Sequence, residues 1–275
     1  TTTVSQPVLD QGEPNWMVAG GEGLVEMIGG TDGEPDIVTG RFVLNTQEYR
    51  DAAGSADRWV LVGLGQSQPV DNDALRLRDA RPILQGETAN FIHAGNTGWL
   101  IGGNAGRLQT LDTEGEPTTA EAVVLQGAPV QDAAWNGNNW FVSGGGRGTT
   151  CNPGLTCPSA DGQPVLNGQE TVAVVTTGPP DSGSSPDWVL FSANSYQTVS
   201  PTGTLRAVVS LGNGVALTDV IYANGKIALA TDDGRFALVD STNLAGQPAW
   251  QNVLGGRAAT KIEWNGTDEY LVLGV

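Results

Sequence analysis

The sequence predicts an all-β protein built from about seven copies of one four-stranded unit. Three observations predict it. Tryptophans recur at regular spacing along the chain. Glycine accounts for 39 of the 275 residues, about twice its ordinary usage, as expected of a chain with many tight turns. No long window shows the 3.6-residue period of an amphipathic helix, so helices should be nearly absent.

One segment type defines the repeat. It consists of an aromatic or aliphatic residue, three or four apolar or small residues, and then a Gly-rich or polar turn. The seven copies begin at Trp16, Trp59, Trp99, Trp140, Trp188, Ile227 and Tyr270. We interpret this segment as the second strand, strand b, of each unit.

Three further short strands keep phase with strand b. About eight residues later comes a strand c such as Arg107–Leu111, and then a strand d that ends in a Leu-x-Gly-like turn, such as Val123–Gly127. Strand a lies just before the next strand b, as in Ala133–Trp135, which is followed by Asn136-Gly137. Asn-Gly is a strong hairpin signal because both residues tolerate a positive φ.

Stacking of these units predicts a β-propeller. Strand b is apolar at consecutive positions, which indicates burial on both faces of the sheet. A four-stranded unit of about 40 residues cannot cover both faces alone, and circular stacking of such sheets solves the problem. The pattern resembles generic propeller repeats across nearly the whole chain. The Gly-His and Trp-Asp pairs of WD repeats and the boxes of sialidase-type blades are missing, so the resemblance is to the superfold and to no particular family.

The ends of the chain decide the predicted blade count. We expect one domain over residues 1–275, with seven four-stranded antiparallel blades. The last blade would be closed by strands from both termini, with Thr2–Gln6 joining the unit that contains Tyr270. Six blades is the alternative, and a sandwich is the third choice.

The charge balance restricts the partners. The chain has 30 acidic and 13 basic residues, a net charge of −17. Such a surface repels nucleic-acid phosphates and anionic membranes, keeps a protein soluble and monomeric, and can attract divalent cations or basic partners. No apolar run is long enough for a transmembrane helix. The Thr1-Thr2-Thr3 start fits a mature domain whose export signal has been removed.

Two cysteines lie in the longest unit. Cys151 and Cys157 flank a Pro-Gly turn, which allows the chain to double back and close a disulfide, the alternative being two free thiols. A disulfide implies an oxidising compartment, so we expect a secreted, periplasmic or cell-surface protein. The insertion Arg147–Asn167 breaks the repeat, and a site not demanded by the architecture is expected beside it.

Three aspartates form the candidate metal site. Asp51, Asp132 and Asp219 each lie eight residues before a strand-b start, at the beginning of strand a. Carboxylates gathered there could coordinate Ca²⁺, the one cofactor considered. The alternative is that each aspartate closes its own turn by accepting a backbone N–H.

Three arginines and one tryptophan form the candidate binding residues. Arg107, Arg147 and Arg235 occupy like positions in the turns between strands b and c, where they could bind an anion. The alternative is pairing between blades. Trp135 lies outside strand b and is a candidate for stacking on a sugar. The acidic turn Asp112–Glu116 is expected to be a solvated hairpin tip.

Catalytic motifs are missing from the sequence. His93 is the single histidine, there is no Gly-x-Ser-x-Gly elbow, and no phosphate loop is followed by a helix. We therefore expect an exported binding or scaffold module that recognises a protein, peptide or glycan through its loop face, rather than an enzyme. One alternative is a hydrolase or lyase with an acidic, possibly Ca²⁺-assisted site. The other is a purely structural domain of a larger surface protein.

Overall fold

The computed structural model describes most of the chain. The described residues are 3–10, 13–19, 24–29, 36–42, 44, 47–54, 58–71, 76–180, 185–212, 214–244, 248–264 and 269–274. Between residues 3 and 42 the description covers the backbone and, among the side chains, those of Leu24 and Val25.

The N-terminal strands form a four-stranded antiparallel sheet in chain order. Its strands are β1 (Thr3–Asp10), β2 (Glu13–Ala19), β3 (Leu24–Gly29) and β4 (Asp36–Phe42). Because β1 pairs with β2, with Val4 opposite Val18, the N-terminal segment belongs to its own sheet.

Five further sheets, also with four strands each in chain order, follow between Tyr49 and Asn252. The first two contain β5 (Tyr49–Gly54), β6 (Arg58–Gly63), β7 (Gln66–Asp71) and β8 (Arg81–Pro82), then β9 (Ala89–Gly95), β10 (Gly98–Gly103), β11 (Arg107–Leu111) and β12 (Pro117–Val123). The next contains β13 (Asp132–Trp135), β14 (Trp140–Gly144), β15 (Arg147–Cys151) and β16 (Gln163–Pro164). The last two contain β17 (Ala173–Thr176), β18 (Trp188–Phe191), β19 (Ser195–Val199) and β20 (Leu205–Ser210), then β21 (Leu217–Ala223), β22 (Lys226–Thr231), β23 (Arg235–Asp240) and β24 (Gln251–Asn252).

Consecutive four-stranded antiparallel sheets that pack through their faces are the blades of a β-propeller, so the predicted fold class is confirmed. The helical elements of the described residues are four three-residue 3₁₀ turns, Leu84–Gly86, Asn104–Gly106, Leu125–Gly127 and Leu166–Gly168. No helix in the described ranges is both long and apolar enough to cross a membrane.

The predicted blade count is wrong. The structure shows five blades whose strands and side chains are both described, β5 to β24, rather than seven or the alternative six. The C-terminal unit contributes the two-stranded sheet of β25 (Ala259–Trp264) and β26 (Tyr270–Gly274). The segment predicted to close it, Thr2–Gln6, is described from Thr3 onward as part of β1, which pairs with β2 instead. The sequence period counts strand-b starts, and such a start marks a unit whether or not a complete four-stranded blade is built around it.

The predicted position of strand b is confirmed, whereas the predicted strand d Val123–Gly127 is wrong, because the outer strand β12 ends at Val123 and Leu125–Gly127 forms a 3₁₀ turn. Each predicted strand-b start lies in the second strand of its sheet, from Trp16 in β2 to Tyr270 in β26. Trp59, Trp99, Trp140 and Trp188 are all buried. Val60 and Val62 of β6 pack against Ile92 and Trp99 of the next blade, and Phe141 of β14 packs against Trp188, with 5.5 Å between the ring centroids. These four tryptophans therefore fill the layers between blades.

The chain divides into two compact units. One comprises Thr1–Ala122 with Glu263–Tyr270, and the other comprises Val123–Ile262 with Leu271–Val275. The blades of β5–β8 and β9–β12 belong to the first unit, apart from the last residue of β12. The blades of β13–β16, β17–β20 and β21–β24 belong to the second unit.

Candidate functional site

The three candidate metal-binding aspartates each bind the backbone of the following sheet. Asp51 Oδ2 accepts a hydrogen bond from Ile92 N at 2.9 Å. Asp132 Oδ2 accepts one from Val174 N at 2.6 Å. The same bond joins Asp219 Oδ2 to Ile262 N at 2.6 Å. Each aspartate therefore links the first strand of its own sheet to the first strand of the next sheet, an arrangement that neither of the two sequence hypotheses included.

These aspartates occupy alternate sheets. Pairing with strand b places Asp51 opposite Val62, and the equivalent position of the next sheet is Phe91, opposite Gly102. In the same register Ala173, opposite Phe191, is the equivalent position in the sheet after that of Asp132, and the N–H donor to Asp219, Ile262, lies in β25 of the sheet that follows. Sheets are thus coupled in pairs, one giving an aspartate and the next giving a backbone N–H. The sequence signal for this pairing is that aspartate recurs at this position in every second unit.

The described residues around these aspartates do not form a cluster of metal-ligating side chains. The described ranges contain no group of three or more His, Cys, Asp or Glu side chains that could hold a metal ion. A Ca²⁺ ion would take six to eight oxygen ligands, whereas one carboxylate oxygen of each aspartate already accepts a backbone N–H. Calcium binding stays a prediction, which titration calorimetry can test.

Burial raises the pKa of Asp219 above its ordinary value of 3.8. The Lys261 ammonium, 3.8 Å from Asp219 Oδ2, and the N–H groups of Ile262 and Val220 partly offset this rise, while the charge of Asp132 adds to it. Because the folded-state pKa lies above the unfolded value, the fold favours the protonated carboxyl. That stabilisation is complete below 3.8 and is lost as the pH rises through the folded-state pKa. Acidification therefore stabilises the fold through Asp219.

We expect Asp132→Ala to lower the free energy of unfolding by about 1–3 kcal/mol, because it leaves the N–H of Val174 without its acceptor at a buried junction. Asp132→Asn keeps an acceptor oxygen and should recover most of the loss. Urea unfolding followed by tryptophan fluorescence measures both. The control is Asp161→Ala, since that side chain is exposed. An Asp132→Ala variant as stable as the control would contradict the role assigned to this bond.

The three candidate arginines differ in their surroundings. Arg147 donates from Nε to Asp161 O at 2.7 Å and from Nη2 to Gly162 O at 2.8 Å. Arg235 donates from Nε to Asp233 Oδ1 at 2.8 Å, and its guanidinium lies 5.4 Å from the centre of the Trp250 ring. Arg107 Nε is buried with no hydrogen-bond partner among the described residues. Two of the three guanidiniums are therefore engaged locally.

Trp135 and His93 pack within the first strands of their blades. Trp135 is only 9% exposed and lies 5.2 Å from Trp140, measured between ring centroids. His93 stacks on Phe91, also with 5.2 Å between centroids. The predicted stacking of a sugar on Trp135 stays a prediction, and the available face of that ring is small.

A buried glutamine in strand c joins neighbouring blades, and the sequence analysis missed it. Gln109 Oε1 accepts a hydrogen bond from Leu84 N at 2.8 Å, and Gln197 Oε1 accepts one from Leu166 N at 2.7 Å. Gln68 makes the same bond to Leu44 N. The other end of each glutamine donates to a carbonyl of its own unit, for example from Gln197 Nε2 to Arg206 O at 2.8 Å.

These glutamines hold leucines in a strained backbone conformation. Leu84 and Leu166 open the predicted Leu-x-Gly turns with φ values of 48° and 51°. An L-residue with a side chain adopts this left-handed region at a cost of about 1–2 kcal/mol. The glutamine satisfies the N–H of the strained leucine, whose side chain is buried between the blades. Glutamine two residues into strand c, together with Leu-x-Gly one unit earlier, is the sequence signal for this contact.

In the blade of β13–β16 no glutamine occupies this position, and the inserted loop instead accepts the hydrogen bond from the strained leucine. Thr149 stands at the glutamine position of β15, opposite Val142. The loop beyond it supplies Ala160 O, which accepts a hydrogen bond from Leu125 N at 2.6 Å. Thr149 Oγ1 donates to Ser159 O at 2.8 Å and fixes this part of the loop. Leu125 has a φ of 54°, like its counterparts in the other turns.

The predicted disulfide is confirmed. Cys151, which is buried at the end of β15, is bonded to Cys157, and the described residues contain no free cysteine. Inside the ring, Asn152 N donates to Thr156 O, and Leu155 N donates to Asn152 O. The disulfide therefore anchors the start of the segment that reaches Ala160. This loop has a structural role in addition to any site that lies beside it.

The acidic turn Asp112–Glu116 is the tip of the β11–β12 hairpin, where Thr113 and Glu114 are exposed, and it also contacts the preceding blade, which the sequence analysis did not predict. Asp112 Oδ1 accepts hydrogen bonds from the N–H groups of Glu114 and Glu116. Glu116 is 3.1 Å from Arg78 Nη1, and Glu114 is 3.4 Å from Arg58 Nη1. Both arginines belong to the preceding blade, since Arg58 begins β6 and Arg78 lies between β7 and β8. The turn is therefore docked on that blade by ion pairs.

Comparison with protein-family models gives no match, and comparison with the curated proteins gives none either.

Proposed function

We propose that the chain is an exported binding or scaffold module that recognises a protein, peptide or glycan through the loops at the ends of its blades. The observation that supports this proposal is the engagement of the candidate polar groups. Asp51, Asp132 and Asp219 hold backbone N–H groups of the following sheets. A carboxylate that fixes the backbone in this way is poorly placed to act as an acid, a base or a metal ligand.

A hydrolase or lyase of the acidic type needs carboxylates that are directed at a substrate. Because the repeated aspartates serve the junctions between blades, no specific observation favours that alternative. The propeller fold itself is neutral, since such folds carry many unrelated functions. The disulfide fits an oxidising compartment, which supports the exported location.

Arg107 is the first residue to test for binding. Arg147 and Arg235 donate to backbone carbonyls or to a carboxylate of the chain itself. Arg107 keeps a donor that no acceptor of the described residues satisfies. Although Nε is buried, the Arg107 side chain as a whole is half-buried, so a ligand carboxylate or sulfate that reaches its guanidinium can bind there in bidentate geometry.

The test is a screen of immobilised glycans and peptides, run together with a broad hydrolase and lyase screen. We expect at least one ligand class to bind without turnover and Arg107→Gln to weaken that binding at least about fivefold, a loss of about 1 kcal/mol. The control is Arg257→Gln, at an exposed arginine. Turnover of any substrate would contradict the proposal in favour of the enzyme alternative, and silence in both screens would favour a purely structural domain.

A further inference from the structure

The outer strand β20 lacks the short length and the proline that protect the outer strands of the other blades. The outer strands β8, β16 and β24 have two residues each, and two of them end at Pro82 and Pro164. β12 is longer, but it begins with Pro117 and carries Glu121, which accepts a hydrogen bond from Gln85 Nε2 at 2.8 Å. Short length, proline and charge are the usual protection of a sheet edge. β20 has six residues and no proline.

The side chains of β20 make it a good strand for pairing. Its sequence is Leu-Arg-Ala-Val-Val-Ser, and four of its six residues are exposed, including Val209 at 39%. The one charge, on Arg206, is paired with Asp187 at 2.9 Å and is thus tied to its own blade. Adjacent β-branched residues favour the extended conformation.

The register shows which backbone groups of β20 face outward. Leu211 N donates to Asn194 O at 2.9 Å, and Val209 and Val208 lie opposite Tyr196 and Gln197. Because hydrogen-bonded and non-bonded pairs alternate in an antiparallel ladder, Val209 bonds to β19 while the N–H and C=O of Val208 face away from it. In the part of the chain that the structure describes, no strand pairs with this outer side of β20.

We propose that β20 is a docking edge for an extended, basic segment of another protein, which adds to the blade as a further strand. An outward row of N–H and C=O groups is recognised by another extended backbone. The net charge of −17 favours a partner segment flanked by lysine or arginine and opposes pairing with a second copy of this chain. This surface is separate from the loops of the proposed function, so the two proposals can fail independently.

The probe is a fluorescently labelled short peptide that alternates valine and threonine and carries a lysine at each end. We expect it to bind the protein, and we expect N-methylation of alternate backbone amides to weaken binding at least about tenfold, because it removes the edge hydrogen bonds. Replacing the terminal lysines by glutamates should also weaken binding. Fluorescence anisotropy measures all three peptides on the wild-type protein.

Two variants locate the binding at β20. Val208→Pro removes an outward N–H without touching the ladder to β19 and should weaken binding at least about tenfold, since proline is compatible with an edge strand. Val208→Thr keeps the N–H and should bind like the wild type. If Val208→Pro does not fold, the N-methylated peptide on the wild-type protein decides the question.

Three outcomes would overturn the proposal. They are equal binding of the N-methylated peptide, unchanged binding by a folded Val208→Pro variant, and no binding of the lysine-flanked peptide up to about 1 mM. Equal binding of the glutamate-flanked peptide would overturn the basic character of the partner. A dimer in sedimentation analysis that Val208→Pro abolishes would overturn the choice of occupant in favour of a second copy.

Discussion

Gln197→Ala should lower the free energy of unfolding by about 2–4 kcal/mol, because it removes two hydrogen bonds of a buried side chain at once. The substitution removes the acceptor of Leu166 N and the donor to Arg206 O, and it empties buried space between two blades. Leu166 also loses the contact that stabilises its positive φ. Equilibrium denaturation with a linear extrapolation gives the loss directly.

Two companion variants separate the causes of that loss. Gln197→Met keeps most of the side-chain volume without the hydrogen bonds, so we expect it to remain clearly less stable than the wild type. Gln251→Ala, at an exposed glutamine of β24, should change stability by less than about 0.5 kcal/mol. If Gln197→Met were as stable as the wild type, packing alone would explain this position and the hydrogen-bonding role would be wrong.

Removal of the disulfide by the double substitution Cys151→Ser and Cys157→Ser should cost about 2–4 kcal/mol. The physical reason has two parts. The disulfide restricts the unfolded chain, and it anchors the loop that carries Ala160 to Leu125 N. Urea unfolding of the oxidised wild-type protein and of the double variant measures the difference.

A reductant provides the matched control for this experiment. It should destabilise the wild-type protein by a similar amount and leave the double variant unchanged. In addition, the amide of Leu125 should exchange faster with solvent after reduction, whereas the amide of Leu166, which Gln197 holds, should not. Equal acceleration at both leucines would show that the loop does not act locally on the Leu125 turn.

The position of strand b in each unit could be predicted from the sequence. Tryptophan at the start of strand b is a local signal, since a large apolar residue at a fixed place in each unit must lie between the stacked sheets. Trp59, Trp99, Trp140 and Trp188 are buried there. The disulfide was also predictable, because Cys151 and Cys157 are close in sequence and a Pro-Gly turn separates them.

The blade count could not be predicted in the same way. A strand-b start such as Tyr270 looks the same whether two or four strands surround it, and only the pairing of β1 with β2 shows where the N-terminal segment belongs. The roles of Asp132 and Gln197 were missed for a related reason. Their partners lie about one unit away in the chain, at backbone N–H groups that any residue can provide.

The central claim is that side chains of one blade hold backbone N–H groups of a neighbouring blade, and native-state hydrogen exchange tests it most directly. The account predicts that the amides of Val174 and Leu166 exchange only when the protein unfolds, with opening free energies close to the global value. Asp132→Asn should leave the Val174 amide protected, and Gln197→Met should expose the Leu166 amide. Exchange of the Val174 and Leu166 amides in the wild-type protein as fast as that of exposed Gly225 would contradict the account.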